Sequence, residues 1–245
     1  MQMEPHIVKE LEEWKAQMQK RPSLMGALSR SLQQKINSYI PEKVHKAITT
    51  AIKQMIRGVL FGAKHLSKEP MPVASLRQVE EEVIKKINTY KHAAAAEGGF
   101  TGAGGFLLAV ADFPALIGIK LKLLFDVATL YGFSVKDYKE RVYLLQVFQL
   151  AFSSAQHRKE IYLQMVNWKE KTAGMPEDIN AFDWRTFQQE YRDYIDLAKM
   201  AQLIPGIGAV VGYVVNYKLI EKLGRTAMNA YRMRWQEERQ SLIES

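Results

Sequence analysis

Two stretches of this chain are rich in glycine and almost free of charge, and they constrain the fold more than any other feature. Residues 93–119, AAAAEGGFTGAGGFLLAVADFPALIGI, carry only Glu97 and Asp112 as charged groups. Residues 200–217, MAQLIPGIGAVVGYVVNY, carry none. Glycines stand four apart at Gly98 and Gly102 and again at Gly208 and Gly212, with Gly105 and Gly206 nearby. On a helix, positions i and i+4 share a face, so paired glycines leave a groove that lets a second helix approach closely. A glycine inside a helix costs about 1 kcal/mol relative to alanine, and close packing offsets that cost. The two segments are therefore expected to pack together at the centre of an all-α, multi-helix bundle. The alternative is a helical hairpin that touches or enters a bilayer. An 18-residue helix reaches about 27 Å, close to a hydrocarbon thickness of about 30 Å. Pro205 and the glycines weaken a straight span and suit a broken segment only where protein covers it.

The rest of the chain reads as helix. Met3, Ile7, Leu11, Trp14 and Met18 recur at helical steps, with Pro5 in the first turn. A second helix begins near Pro41, with Ile48, Ile52, Met55 and Val59 along one side. Ser75 and Gln78 have the spacing of a capping box, which satisfies free backbone N–H groups at a helix start. The stripe of that helix is Leu76, Val79, Val83, Ile87 and Tyr90, and Glu97 is expected to end it at the surface. Asp112 suits the N-cap of the next helix, with Pro114 in its first turn. Gly132 suits its stop, because glycine adopts a left-handed cap at little steric cost. Ser134 and Asp137 restart a long helix expected to reach about Trp168. A loop follows over 171–182, then a helix capped by Asp183, and a last helix runs from about Gly208 to about Gln240. No strand alternation or hairpin signal occurs. No linker divides the chain clearly, and the organisation expected is an N-terminal helical arm, residues 1–40, followed by one helical domain, residues 41–245.

Charge and composition narrow the function classes. With 245 residues, 47% of them apolar, the chain can bury a sizeable core. It has no cysteine, which excludes disulfides, Cys-ligated zinc and a thiol nucleophile. The formal charge is +8, which favours anionic partners. The helix after Pro41 carries Lys43, Lys46, Lys53, Arg57, Lys64 and Lys68 against Glu42 alone. Residues 218–239 carry Lys218, Lys222, Arg225, Arg232, Arg234 and Arg239 against three glutamates. A basic face opposite an apolar stripe can rest on anionic lipid; it also suits a solvated face over a packed core. The cations are spread out with no nucleic-acid-binding motif, so a nucleic-acid partner is not expected.

Signals for an enzyme are weak. The glycines fit neither G-x-G-x-x-G nor a P-loop, and no strand precedes them. The five histidines make no i, i+4 pair, so neither a metal site nor a cofactor is expected. Glu97 and Asp112 are the remaining acid/base candidates, as lone charges in apolar surroundings. Asn216, at the end of an apolar run, reads as a satisfied buried amide. The start of the chain lacks the apolar run of a secretory signal, and the expected address is cytoplasmic.

The segment AEGGFTGAGGFLLAVADFPALIGIKLKLLFDVATLYGFSV, residues 96–135, resembles the central signature of the EcsC family. IPGIGAVVGYVVNYKLIEKLGRTAMNAYR, residues 204–232, resembles its C-terminal signature, and the likeness covers about residues 75–235. The family is named after the third product of the Ecs operon of Bacilli, beside an ABC transporter with ATPase and membrane subunits. The resemblance implies a bacterial accessory protein at the inner face of the cell membrane, linked to that transporter, to protein secretion and to peptide processing. It implies no catalytic residue. The function expected is therefore non-catalytic, with basic amphipathic helices meeting anionic lipid or the transporter's membrane subunit. Two alternatives remain open, a lipid carrier with an apolar tunnel and a small hydrolase using Glu97 and Asp112.

Overall fold

The computed structural model describes residues 3–20, 50, 52–60, 75–103, 113–153, 157–176, 178–181 and 209–244. Within them the chain is helical, with no strand element. We number the helices α1 (Pro5–Gln19), α2 (Leu76–Ala103), α3 (Phe113–Leu130), α4 (Tyr138–Phe152), α5 (Arg158–Met165), α6 (Trp168–Ala173) and α7 (Ala209–Glu244), with a short helical stretch at 52–60.

Local chemistry accounts for most of the boundaries. Pro5 opens α1, which buries Ile7, Leu11 and Met18. The Ser75 hydroxyl accepts from the Gln78 backbone N–H at 3.2 Å and caps α2. Gly132 ends the α3 region in the left-handed conformation, at φ 90°. Asp137 caps α4 by accepting from the Lys139 N–H at 2.9 Å. The stretch 52–60 is amphipathic, with Ile52, Met55, Ile56, Val59 and Leu60 buried and Lys53 and Arg57 exposed.

Two boundaries differ from the sequence reading. The helix begun at Ser75 does not stop at Glu97 but continues through Gly98 and Gly102 to Ala103. A helix already nucleated extends more readily than a new one forms, which offsets the weak preference of glycine. The long helix expected to reach Trp168 is three pieces. It breaks after Phe152, where Ser153 turns to extended backbone, and again where Asn167 takes a left-handed φ of 52°.

Helix α2 is the spine on which α3 and α7 pack. Glu80 meets Arg232, Ile87 meets Gly224 and Lys91 meets Glu221, so α2 and α7 are antiparallel. The Tyr90 hydroxyl donates to Asp126 at 2.9 Å, and Lys86 pairs with the same carboxylate. A Cβ on Gly224 would fall 2.5 Å from Ile87 Cγ1, so only glycine allows this helix approach. Lys120 against Asn216, and Tyr131 stacked on Tyr231, set α3 parallel to α7.

Helix α4 is buried on nearly every side. It holds α7 through an ionic and aromatic knot. Glu140 pairs with Arg234 and accepts from the Tyr231 hydroxyl at 2.6 Å. The Arg234 guanidinium lies 3.9 Å from the Phe133 ring centre and 4.7 Å from that of Tyr143. Arg232 and Arg234 are thus internal ion-pair partners rather than parts of a solvated basic face. Helix α1 docks on this body: Glu10 pairs with Arg232 at 2.8 Å, and Trp14 meets Tyr162 edge-on at 5.8 Å.

Candidate functional site

The directions of the three packed helices bring one end of each to the same pole. The C-terminal turns of α2 and the N-terminal turns of α3 and α7 meet there. Residues 98–103, 113–119 and 209–217 form these ends, and none is charged. The first charges below the pole are Glu97 on α2, Lys120 on α3 and Lys218 on α7.

Polar groups from the three helices converge at this border. Lys120 is fully buried, and its Nζ donates to Asn216 Oδ1 at 3.3 Å. Asn216 is itself fully buried, as its place in an apolar run suggested. Burial lowers the Lys120 pKa to about 7, because an ammonium ion out of water is poorly solvated, and the Glu97 carboxylate opposes that shift. At neutral pH this amine is therefore poised between its charged and neutral forms. Its complete burial keeps it from any ligand at the surface.

The outer side of α7 has a different character. Tyr213 and Val214 are 41% and 43% exposed, a large apolar area for one helix turn. Tyr213 stacks on Tyr217 with ring centres 6.5 Å apart, and the Lys91 ammonium sits 4.5 Å over the Tyr217 ring. Lys218, Lys222 and Arg225 follow, all exposed. Steps of four, four and three from Val214 keep these residues on one helix face.

Of the residues chosen from sequence, Glu97 belongs to the polar border, and Gly98, Gly102 and Gly212 lie in the helix ends that form the pole. Lys53, Arg57, Lys218, Lys222 and Arg225 are at the surface. Asp112, Gly105, Gly206, Gly208, Lys43, Lys46 and Lys64 lie outside the described residues, as do the caps expected at Asp112 and Asp183. Among the described residues no cluster of acidic or histidine side chains could hold a metal ion.

Sequence reasoning missed two residues. Lys120 stands in step with Leu123, Leu124 and Val127, all buried, whereas Lys122 is exposed. A lysine in phase with a core stripe was the available signal. Gly224 has no glycine four positions away, so a search for paired small residues passes over it.

Comparison with known proteins places this geometry in context. The model of the EcsC protein family matches residues 5–235. Protein EcsC of Bacillus subtilis (strain 168) is 43% identical over 229 residues, covering 93% of this chain and 94% of that protein. The uncharacterized protein YdbA of the same organism is 26% identical over 247 residues, covering 93% and 90% of the two chains. No solved structure matches.

Proposed function

This chain is a member of the EcsC protein family, and we propose that it is a non-catalytic accessory protein at the cytoplasmic face of the cell membrane. In this reading the uncharged pole touches the bilayer and the cations beside it hold anionic headgroups. The observation that carries it is the outer face of α7, where exposed Tyr213 and Val214 precede exposed Lys218, Lys222 and Arg225. From Val214 to Arg225 the helix rises about 16 Å. With the uncharged end of α7 toward the bilayer, the tyrosine and valine reach the acyl edge and the cations stay among phosphates, each contributing about 1 kcal/mol. Tyrosine suits such a border because one end of its ring is apolar and the other wet. No helix among the described residues is long and apolar enough to cross a membrane, which fits contact with one leaflet. The same surface is proposed to meet the membrane subunit of an Ecs-type ABC transporter. Catalysis by Glu97 is not part of the reading, because its charge is set against buried Lys120.

Flotation with vesicles tests this. The protein should rise with vesicles containing phosphatidylglycerol and stay behind with phosphatidylcholine alone. A Tyr213→Ser, Val214→Ser variant and a Lys218→Glu, Lys222→Glu variant should each float less while keeping the helical circular dichroism. Wild-type protein that ignores anionic vesicles at low salt would overturn the proposal.

A further inference from the structure

Away from the pole, α2 and α7 carry the same polar pattern on the faces they turn to each other. Each has a glutamate, an asparagine eight residues later and a cation eleven residues later: Glu80, Asn88 and Lys91 on one, Glu221, Asn229 and Arg232 on the other. Because the helices are antiparallel, each glutamate meets the other helix's cation. Glu80 takes Arg232 through two hydrogen bonds, at 2.6 and 2.9 Å, and Lys91 lies 3.4 Å from Glu221. An open cleft of about 300 Å³ runs between these two ion pairs, with α1 along one side.

The cleft is electrically polarised. Each end holds one neutral ion pair and one surplus charge. At the α1 end the surplus is Glu10, whose side chain is 61% exposed; at the other it is Arg225, 73% exposed. With histidine neutral, the ends therefore carry net charges of opposite sign. The middle is apolar: Ile84 is 48% exposed there, beside buried Ile87 and Met228. Arg225 and Arg232, which holds Glu10, are seven residues apart on α7, a rise of about 10 Å.

We propose that this cleft binds a linear zwitterion with an apolar middle, of the kind presented by an extended tripeptide with free ends. Three extended residues span about 10–11 Å, comparable with the rise along α7 between Arg225 and Arg232, the residue that holds Glu10. The ammonium group would face Glu10, the carboxylate would face Arg225, and the central side chain would lie on Ile84. Charge complementarity favours this ligand over an anion or a cation alone, since each of those meets one repelling end. The site shares Arg225 with the proposed membrane face but does not depend on membrane binding.

The test is a titration of the full chain with Ala-Leu-Ala, followed by calorimetry and by NMR of isotope-labelled protein, in low salt at about pH 7, where the peptide's α-amino group keeps most of its proton. Binding is expected, with shifts at Ile84 and Asn88, and should weaken about three- to fivefold when either end of the peptide is blocked. Arg225→Gln should weaken binding of the free peptide but not of its C-terminal amide. Glu10→Gln should weaken binding of the free peptide but not of its N-acetyl form. Both side chains are largely exposed, and unchanged thermal melting of the variants would verify their fold. No binding at millimolar peptide, or equal binding of a peptide blocked at both ends, would overturn the proposal.

Discussion

Lys120 is a cation placed where water does not reach it, and its titration should be visible in the stability of the protein. In the unfolded chain the amine keeps its proton up to its usual value of 10.5; in the folded chain it releases it near 7. Between those values the unfolded state binds more protons, so the contribution of this residue to stability rises with pH. In Lys120→Met that rise should vanish. The variant's melting temperature relative to wild type should be highest below about pH 7 and should fall steadily toward pH 10, as followed by circular dichroism across a pH series. Parallel curves for the two proteins would contradict the assignment. The residue was legible as an oddity, a lysine in phase with Leu123, Leu124 and Val127. Its partners were not, because Asn216 lies 96 residues further along and only the fold brings it near.

At the scale of the element, the α2–α7 crossing turns on Gly224. Alanine there would set a methyl group 2.5 Å from Ile87 Cγ1 and 3.1 Å from Cγ2. These atoms lie at the base of a β-branched side chain, which has little freedom to swing away. Overpacking of this kind costs about 1–3 kcal/mol, against a gain in helix propensity of about 1 kcal/mol. Gly224→Ala should therefore lower stability in urea unfolding. Combined with Ile87→Ala it should cost less than the sum of the two single changes, since the pair is in direct contact. Additive losses would show that the crossing relaxes elsewhere. The helices themselves were largely readable: the Ser75 cap, the Gly132 stop and the Asp137 cap all lie in local sequence, where side chain and backbone are a few atoms apart. The breaks at Ser153 and Asn167 were not, because no proline or glycine marks them. The continuation of α2 through its glycines was not readable either, since the intrinsic preference of glycine argues against helix there.

Over the whole molecule, the net charge of +8 overstates the positive surface in one respect and understates its arrangement in another. Arg232 and Arg234, which counted toward a basic tail, are consumed by Glu80 and Glu140 inside the fold. Lys218, Lys222 and Arg225 remain outside, beside the apolar turn at Tyr213 and Val214. Attraction between such exposed cations and anionic lipid is screened over about 8 Å at physiological ionic strength and about 3 Å at 1 M. Flotation with phosphatidylglycerol vesicles should therefore fall as salt rises, leaving a residue due to apolar contact. That residue should be lost in the Tyr213→Ser, Val214→Ser variant. Binding indifferent to salt would remove the electrostatic half of the membrane reading.

The amino-acid sequence by itself determined that this protein is all-α, where several of its helices begin, and to which family it belongs. Those properties rest on periodicity, caps and signature segments, each written in neighbouring residues. Tertiary structure decided which charges are spent inside and which face outward, and which glycine sits at a helix crossing. It also decided that three uncharged helix ends share one pole. These depend on the register and direction of helices far apart in the chain, and a difference of one helical turn in that register would exchange every partner.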